Sequence, residues 1–570
     1  RYHWRAHFGA FIGAGLCALV LTGALLVGDS LRGTLKEQAL ARVGRAESAL
    51  VGGELFFRSA LADAVSVETA PLLFLRGSAG KSDGSARVNQ VQVLGVDSRF
   101  WAMAPDGERR ELQAGDAVLS AVLAKRLGVG VGDSVVVRVE KPAVFSKDAP
   151  LSGEEDGIEA LRARVVAIAD DARFGRFGLQ ASQVPPATIF LPLEQLQQRL
   201  EVPGKANLLL SSLPPELFSA ETARFWTPED AALELRQLAA AAGFEVRTSR
   251  VFLTDALLKT LPLGEPSLTY FVNTLRSGEH STPYSMVSAA VPGSLPFLPA
   301  DLASDEIVVS DWLQEDLGAE VGGELEMRYL VLNEKRQFEE RSRKFKVRAV
   351  HPLQADGWDL SWMPDFPGLA DAGNCREWKP GFALDTTQIR DKDEAYWKKF
   401  RGAPKAFIPL ATARELWGNR WGATTALRYT GEDASERAGG VTKAVTPQAA
   451  GVQVMALREL AVAATDAPVD FAGLFLGFSI FLVAASLALV GLLFGLLVEN
   501  RRGEAGALLA MGWPTGRVRA LFLGEGFGVA LLGAGVGAFG GLYYTQLVLS
   551  ALSGVWSAAT GGVAITFYAA

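Results

Sequence analysis

FAGLFLGFSIFLVAASLALVGLLFGLLV, residues 471–498, contains no charged residue and decides the fold class of the chain. Asp470 precedes this stretch and Glu499 follows it. A helix rises about 1.5 Å per residue and the hydrocarbon core of a bilayer is about 30 Å thick, so the stretch is long enough to cross a membrane. The sequence therefore predicts an integral membrane protein.

Two other uncharged runs are long enough to cross a bilayer. Residues 8–28 follow Arg1 and Arg5, and residues 527–549 follow Glu525. A carboxylate in the middle of a bilayer costs about 2.5–3.5 kcal/mol, so Glu525 is predicted to mark a membrane edge. A cleaved signal peptide is the alternative for the first run, because its start is basic and small residues are plentiful.

The arginines orient the three predicted spans, because cytoplasmic loops carry an excess of lysine and arginine. Arg1 and Arg5 precede the first span, and four arginines lie between the second and third spans. The long middle of the chain is then predicted to face out of the cytoplasm. Since the chain has no initiator Met and no polar tail, we expect at least one further span beyond residue 570.

The composition excludes several classes of protein. The 570 residues are 49% hydrophobic and 21% charged, with a mean hydropathy of +0.18, which fits a mixture of spans and a soluble domain. The net charge of −7 argues against nucleic acid as a partner. Cys375 is the only cysteine of the middle, and the four histidines show no ligand spacing, so neither a disulfide there nor a metal site is predicted.

The middle of the chain contains an internal repeat. VLSAVLAKRLGVGVGD, residues 118–133, matches VVSDWLQEDLGAEVGG, residues 308–323, at a constant offset of 190. Each copy predicts a strand, a short amphipathic helix, a glycine that ends the helix, and a turn into another strand. Two further pairs match in the same order: 189–200 with 407–418, and 241–246 with 449–454. We therefore predict two related α+β modules.

The predicted protein is membrane α-helical plus α+β. The second module carries an insertion near residues 355–400 that is rich in Trp, Asp and Pro. A packed flap is favoured there over a surface for cargo or a partner, although long loops are often functional. The predicted parts are a transmembrane helix (1–28), a stalk helix (29–60), module 1 (61–250), module 2 (251–469), a second transmembrane helix (470–498), a cytoplasmic coupling helix and turn (499–520), a third transmembrane helix (521–552) and the start of an extracytoplasmic loop (553–570).

The sequence predicts no enzymatic activity. RGSAGKSDG, residues 76–84, contains the GKS of a phosphate loop, but Leu75 stands where that motif needs a glycine. A hairpin turn is the better interpretation, because strand-like runs flank the segment. The acidic residues at 154–156 and 391–394 are predicted to be solvated. No catalytic residue, cofactor or metal ligand is therefore assigned.

The connection between the second and third spans, ENRRGEAGALLAMGWPTGRVRALFLGEG at residues 499–526, predicts a short amphipathic helix. Glu504, Leu508 and Met511 recur at helical spacing, and Gly512 is predicted to end the helix. Such a helix suits a groove on a partner protein. A plain interfacial connector held at the lipid headgroups is the alternative, and the residues alone leave both open.

This connection resembles the pattern of FtsX/MacB/LolC-type ABC-transporter permeases, R-x-E-[IL]-G-x-L-x-A-x-G with basic residues and a glutamate after it. Ala505 stands where the family has Ile or Leu. Residues 118–133 also resemble the MacB-type periplasmic core region. The residues matched to the ATPase-coupling helix are Glu499, Arg501, Arg502, Glu504, Ala505, Gly506, Leu508, Met511 and Gly512, and those at the membrane edge are Arg517, Arg519 and Glu525.

The resemblance implies a multi-pass permease subunit of the bacterial cytoplasmic (inner) membrane, with ATP and Mg²⁺ held by a separate ABC ATPase. That ATPase is expected to seat Glu504, Leu508 and Met511, with Arg501 and Arg502 at the lipid headgroups. The other implied partners are a second permease subunit, membrane lipids and a periplasmic protein. The expected work is mechanotransmission for export or extraction of a lipid-, lipoprotein-, peptide- or drug-like substrate. The alternatives are an FtsX-like regulator of a cell-wall hydrolase and a membrane-anchored structural protein without an ATPase.

Overall fold

The structure is a computed structural model. It forms two compact units: a membrane-helix unit of residues 1–44, 176–185 and 457–570, and a sheet unit of residues 45–175 and 186–456. The described residues are 4–66, 68–142, 157–180, 184–238, 243–333, 335, 337–370, 372–382, 384–466, 471–553 and 566–568.

Helices dominate the membrane-helix unit, and strands dominate the sheet unit. The helices are α1 Trp4–Val43, α2 Leu61–Val65, α3 Ser98–Ala102, α4 Ala121–Leu127, α5 Leu193–Arg199, α6 Pro215–Phe225, α7 Asp255–Leu258, α8 Asp311–Leu317, α9 Asp391–Phe400, α10 Leu410–Trp417, α11 Ala434–Ala444, α12 Leu457–Asp466, α13 Phe471–Glu499, α14 Arg502–Ala510 and α15 Thr515–Ser553. The strands are β1 Ser48–Val51, β2 Phe57–Arg58, β3 Thr69–Lys81, β4 Arg87–Val96, β5 Asp116–Ser120, β6 Ser134–Glu140, β7 Ile158–Ala169, β8 Thr188–Pro192, β9 Lys205–Ala206, β10 Leu208–Ser211, β11 Leu233–Gln237, β12 Gly243–Thr248, β13 Glu265–Ser277, β14 His280–Ala290, β15 Glu306–Ser310, β16 Glu324–Leu332, β17 Phe338–His351, β18 Ala406–Pro409, β19 Ala426–Thr430 and β20 Gln453–Ala456.

Three helices of the described chain, α1, α13 and α15, are long and apolar enough to cross a membrane. They coincide with the three predicted spans. Two of them extend beyond the predicted bounds, since α1 continues to Val43 and α15 begins at Thr515 instead of residue 521. A helix satisfies its own backbone hydrogen bonds in lipid and in water, so a membrane boundary does not require it to end. The predicted loop at 553–570 lies outside the described residues except for 566–568.

The predicted stalk over residues 29–60 is helical only as far as Val43. Gly44 follows with φ of +58°, the left-handed conformation that commonly ends helices. Residues 48–51 then form β1, which pairs with β10 on one side and β20 on the other. The helix prediction is wrong for this segment because pairing with distant strands overrides local helix preference.

The first sheet has nine strands in the order β20-β1-β10-β3-β4-β8-β5-β7-β6. The strands β20, β1, β10 and β3 form an antiparallel, open half. Because β3 also pairs with β6, the strands from β3 to β6 close into a six-stranded barrel. The long strand β3 belongs to both halves, since residues 69–72 pair with β10 and residues 73–80 pair with β4.

The second sheet has the order β11-β12-β19-β13-β14-β18-β15-β17-β16, and β13 also pairs with β16. Position by position, each pairing has the same direction as in the first sheet: parallel for β14 with β18 and for β15 with β17, antiparallel elsewhere. The register of β5 shifts between Ala117 and Val118, and that of β15 shifts between Ile307 and Val308.

The predicted boundary between the modules at residue 250 does not match this pairing. β11 and β12, at residues 233–248, lie in the second sheet, whereas β20, at residues 453–456, lies in the first. Chain order does not reveal this, because neighbours in a sheet are decided by contacts between distant segments. Residues 241 and 242, at the start of one matched pair, lie outside the described residues.

The repeated segment adopts the predicted strand, helix and turn in both places, as β5-α4-β6 and β15-α8-β16. Ser120 and Ser310 cap the two helices, each accepting a hydrogen bond from the backbone three residues on. Gly128 and Gly318 end them with φ of +63° and +61°. The two copies therefore share the chemistry of both helix ends.

The predicted insertion lies between β17 and β18. It contains α9 and four buried tryptophans that belong to the hydrophobic cores beside the second sheet: Trp358, Trp362, Trp378 and Trp397. Burial of large aromatic side chains stabilises a segment against the domain that it covers. This packing favours the interpretation of the insertion as a packed flap.

The structure tests two predictions about loops, the hairpin at residues 76–84 and the solvation of the acidic residues at 391–394. Residues 76–84 lie in the β3–β4 hairpin, as predicted. Within the acidic run 391–394, however, Asp393 is buried and accepts two hydrogen bonds of 2.7 Å from Arg390, so the prediction of solvation is wrong for it. Buried carboxylates need such a partner. The acids at 154–156 lie outside the described residues.

Candidate functional site

The helix α14 ends in a glycine turn. Gly512 has φ of +87°. The N–H of Gly512 donates to the carbonyl oxygen of Leu509 at 3.0 Å, and the N–H of Trp513 donates to that of Leu508 at 3.2 Å. These bonds satisfy the last carbonyl groups of the helix, and Pro514 leads into α15. The predicted end at Gly512 is therefore confirmed.

The apolar side chains of α14 and its turn are exposed. No side chain of this nine-residue helix is buried. Met511 is 69% exposed and Leu509 is 43% exposed, while Leu508 is half-buried and Glu504 is exposed. A short helix usually owes its stability to an apolar face packed on its own protein. In the part of the chain that the structure describes, no such cover lies over α14.

Ala505 and Gly506 lie in the middle of α14. Ala505 is half-buried, and a methyl group on Gly506 would have no neighbour within 4 Å. The family pattern has Ile or Leu at the position of Ala505. The smaller side chain reduces the apolar surface of the helix, so what is left for a contact comes from Leu508, Leu509 and Met511.

Arg501, directly before α14, is the centre of a polar cluster. Its Nε donates to Glu504 Oε2 at 2.7 Å and its Nη1 donates to Glu525 Oε2 at 2.6 Å. The guanidinium lies over the Phe522 ring, 4.6 Å from the ring centre. His7 Nε2 lies 3.3 Å from the second oxygen of Glu525. The cluster therefore brings α1, α14 and α15 together.

The positions of the arginines correct the predicted headgroup contact of Arg501 and leave that prediction open for Arg502. The sequence predicts Arg501 at the lipid headgroups, whereas its side chain is 12% exposed and engaged by two carboxylates. Arg502 is 77% exposed and pairs with Glu499 at 2.9 Å. Arg517 and Arg519 are exposed in the first turns of α15. These three exposed arginines remain the candidates for contact with lipid headgroups.

Sequence analysis missed His7 and Phe522 as members of the cluster. His7 lies in no ligand-like spacing, and Phe522 is one of many apolar residues around the third span. Glu525 itself was the available signal, because a carboxylate beside a long apolar run needs a cation as partner. Which cation serves could not be deduced, since Arg501 and His7 are both far from Glu525 along the chain.

Helix α15 packs on α1 through glycines. A Cβ atom on Gly533 would run into the backbone carbonyl of Phe11, and one on Gly537 would run into that of Gly15. Without side chains there, the two backbones approach closely. The contact is therefore one of backbone against backbone at Gly533 and Gly537, whereas a Cβ atom on Gly528 or Gly535 of the same helix would have no neighbour within 4 Å.

Among the described residues, no group of His, Cys, Asp or Glu side chains is arranged to hold a metal ion. The sheet unit has a small indentation, lined in part by the insertion. Lys405 lines it, with Nζ 3.8 Å from Asp393 Oδ1 and 4.4 Å from the centre of the Trp312 ring. Burial lowers the pKa of Lys405 to about 8. These contacts join the insertion to α8, which is a structural role.

We expect Cys375, which also lines this indentation, to be unreactive while the sheet unit is folded. Its side chain is buried, and that burial raises the pKa of the thiol to about 12. The thiolate is the reactive species, so alkylation by iodoacetamide at pH 8 should be at least about 100-fold slower in the native protein than in denaturant. A Cys17→Ala background removes the other cysteine. Equal rates in the two conditions would contradict the burial.

Two family models match the chain. The model of the MacB-like periplasmic core domain matches residues 8–238, and that of the FtsX-like permease C-terminal region matches residues 476–570. The first range includes the first predicted span, and the second includes α14 and α15. Neither range includes residues 239–475, where most of the second sheet lies. No curated protein sequence matches the chain.

Two solved structures are similar to part of the chain. The periplasmic region of MacB from Actinobacillus actinomycetemcomitans is 9% identical, with a TM-score of 0.22 over 32% of this chain and 84% of that one. The extracellular domain of the noncanonic ABC-type transporter YknZ from Gram-positive bacteria is 10% identical, with a TM-score of 0.21 over 31% of this chain and 91% of that one.

Three helices long and apolar enough to cross a membrane, together with the two family matches, support a membrane permease. The chain belongs to the ABC-transporter permeases of the FtsX/MacB type, whose two characteristic regions match at its two ends. Permeases of this family work with ABC ATPase partners, in which the ATPase activity lies, and they often dimerise.

Proposed function

We propose that this chain converts ATP binding and hydrolysis by a separate ATPase into movement of its sheet unit on the outer side of the bacterial inner membrane. This movement serves export or extraction of a lipid-, lipoprotein-, peptide- or drug-like substrate, and a second permease subunit completes the transporter. The observation that carries the proposal is α14, a short helix between two membrane-crossing helices. None of its side chains is buried, and Leu509 and the adjoining Met511 are exposed.

The exposed side chains of α14 suit a groove on the ATPase. Helices commonly bind partners by laying apolar side chains into such a groove. Full burial of an exposed leucine or methionine side chain contributes about 1.5–3 kcal/mol, so burial of Leu508 and Met511 would contribute favourably to a complex. Glu504, exposed on the same helix, adds a charge that fixes the orientation of docking.

The covalent connections of the sheet unit support transmission of movement. The chain enters the sheet unit from α1 through β1, and it leaves through β20 directly into α12. β1 and β20 are hydrogen-bonded neighbours, with Ser48 opposite Ala456. A shift of α1 relative to the helices after β20 would therefore act on two adjacent strands of the first sheet. A paired sheet transmits such a load without local unfolding more readily than a loop does.

We also infer that the two sheets are related modules with exchanged edge strands. The equal strand order, the equal pairing directions and the register shifts 190 residues apart support this. β11 follows α6 of the first module but lies at the edge of the second sheet, and β20 follows α11 of the second module but lies at the edge of the first. The exchange makes each sheet depend on the other part of the chain.

The double variant Leu508→Asp, Met511→Asp should lose the ATPase. Two carboxylates in an apolar groove replace favourable burial by the cost of desolvating charge, so we expect binding to fall by more than about 100-fold. The measurement is the amount of ATPase that co-purifies with tagged, full-length permease from native membranes.

The matched control is Leu508→Met, Met511→Leu, which keeps the apolar volume and should retain the ATPase. Hydrogen exchange of peptides from α15 and β12 verifies that both variants are folded. If the aspartate variant co-purifies with as much ATPase as the control does, α14 is not the docking helix. A structural protein without an ATPase would show no ATPase with any variant.

A further inference from the structure

The polar cluster around Arg501 joins α14 and α15, which are consecutive, to α1 at the other end of the chain. Arg501 donates to Glu504 of α14 at 2.7 Å and to Glu525 of α15 at 2.6 Å. The other oxygen of Glu525 lies 3.3 Å from Nε2 of His7, in the second turn of α1. Glu525 is thus the carboxylate that lies between the segment before α14 and the start of α1.

The surroundings of Arg501 distinguish this cluster from an ordinary surface ion pair. Exposed pairs contribute little, because water and salt screen them. The Arg501 side chain is only 12% exposed and covers the Phe522 ring, so its charge is shielded on one face and its conformation is restricted. Its carboxylate partners are more open to solvent, with Glu504 44% and Glu525 40% exposed, so the difference lies in the arginine. The neighbouring pair of Arg502 with Glu499 has side chains 77% and 55% exposed and provides the contrast.

The position of α14 depends on few other contacts. None of its side chains is buried, so it lacks the apolar packing that positions most short helices. Its C-terminal end is fixed by the glycine turn into α15. At its N-terminal end, the described residues provide the Arg501 cluster. Without that cluster, α14 would be held only by its chain connections to α13 and α15, and it could move without moving α1.

α1 is the helix through which such a movement reaches the rest of the chain. It runs without interruption from Trp4 to Val43, and β1 follows soon after. A continuous helix is stiff over this length, so a displacement of its first turns is carried along it. The contact between Glu525 and His7 therefore connects the segment around α14 to α1, which is long and stiff.

We propose that Arg501, Glu525 and His7 form a latch that transmits displacement of α14 to α1. The three are positioning residues, not docking residues, and the latch rests on the proposed function of α14. In the latched state, a partner that moves α14 moves α15 and α1 with it. When the latch is broken, α14 still binds its partner, but a displacement of α14 no longer moves α1.

The test uses full-length permease in lipid nanodiscs, with and without the co-purifying ATPase. Glu525→Gln removes the charge that Arg501 and His7 share. Hydrogen exchange of peptides from residues 499–514 should become about tenfold faster, because the N-terminal end of α14 is no longer held. Permease-dependent stimulation of ATP hydrolysis should fall by about tenfold, the usual size of a coupling between sites, while the ATPase still co-purifies.

Two variants bracket this result. Glu324→Gln breaks the exposed pair with Lys344 in the sheet unit, which does not include α14, and should change neither quantity. Glu525→Asp keeps the carboxylate and should retain at least about half of the stimulation, a rescue that a purely steric role of Glu525 would not give. If Glu525→Gln fails to fold, as judged by exchange in α15, His7→Ala carries the test with the same expected loss of stimulation.

Unchanged exchange and full stimulation in Glu525→Gln would overturn the latch. Loss of ATPase binding in that variant would overturn it as well, because the cluster would then belong to the docking surface. Other results would contradict the proposed function itself. In that case the Leu508→Asp, Met511→Asp variant would keep its ATPase, or no ATPase would co-purify with any variant. The exchange measurement without the ATPase tests the latch in either case.

Discussion

Gly537→Ala should destabilise the packing of α15 on α1 by about 2–3 kcal/mol, because overpacking a close contact forces the backbones apart. The new Cβ atom would run into the carbonyl oxygen of Gly15 on α1, which is backbone and cannot turn aside as a side chain can. Helices in membranes lack a hydrophobic force between them and depend on such close packing. Thermal unfolding of the full-length protein in detergent, followed by hydrogen exchange of α15, measures the loss.

Gly535→Ala is the matched control, because it adds the same methyl group to the same helix two residues away. A Cβ atom on Gly535 would have no neighbour within 4 Å. This variant should be neutral or slightly stabilising, since alanine has the higher helix propensity. Equal stability of the two variants would show that α1 and α15 do not pack through these glycines.

Glu245→Gln should cost the second sheet about 3–5 kcal/mol, the usual effect of removing one partner from a buried ion pair. Glu245 is fully buried between two arginines on the strands β12 and β19. Its oxygens lie 2.5 Å from Arg247 Nε and 3.2 Å from Arg428 Nε. The variant leaves both guanidinium groups buried beside a neutral amide.

The pKa shifts show that burial dominates this triad. Burial raises the pKa of Glu245 and lowers the pKa of Arg428 to about 10, although the opposite charges pull the other way. The other contacts of the arginines reach the insertion. Arg247 donates to the carbonyl oxygen of Met363 at 2.6 Å, and the Arg428 guanidinium lies 3.3 Å from the centre of the Trp362 ring. Loss of Glu245 should therefore loosen the insertion as well as the sheet.

The control for this prediction is Glu324→Gln. Glu324 pairs with Lys344 at 2.7 Å, but the side chains are 64% and 67% exposed, so the loss should stay below about 1 kcal/mol. The measurement is the rate of hydrogen exchange of peptides from β12, β16 and residues 358–366, compared between the two variants of the full-length protein. If β12 exchanges no faster in Glu245→Gln than in Glu324→Gln, the buried charge is not required.

The contacts of the insertion support the interpretation that the sequence favours. That interpretation is a packed flap, preferred over a surface for cargo or a partner. Its four buried tryptophans, the Arg428 contact with Trp362 and the Lys405 contact with Asp393 all attach it to the rest of the second module. Trp358, for example, is fully buried and donates from Nε1 to the carbonyl oxygen of Pro404 at 2.7 Å. These are contacts of a packed element.

Much of the fold was predictable because it depends on short-range patterns. An uncharged run of sufficient length predicts a membrane helix wherever it occurs, and α13 follows that run closely. The glycine turn at Gly512 and the serine caps at Ser120 and Ser310 depend on residues within one helical turn of each other. Such features appear in the sequence at the position where they act.

The failures have a common cause. Residues 48–51 were predicted as helix and are a strand, and residues 233–248 were assigned to the wrong sheet. In both cases the decisive partner lies far along the chain: β20 pairs with β1, and β19 pairs with β12. Local preference for a strand or a helix is weak compared with the energy of completing a sheet.

The sequence by itself determined three membrane-crossing helices, a short helix that ends at a glycine between the second and third of them, and the repeated strand–helix–turn. Each is set by composition or spacing within a few residues. The tertiary structure alone decided that β1 pairs with β20, that α15 packs on α1 through glycines, and that Glu525 meets Arg501 and His7. Most of these contacts join residues hundreds of positions apart, and Arg501 and Glu525 are 24 positions apart, beyond the reach of any local pattern. Only the folded chain brings their side chains within bonding distance.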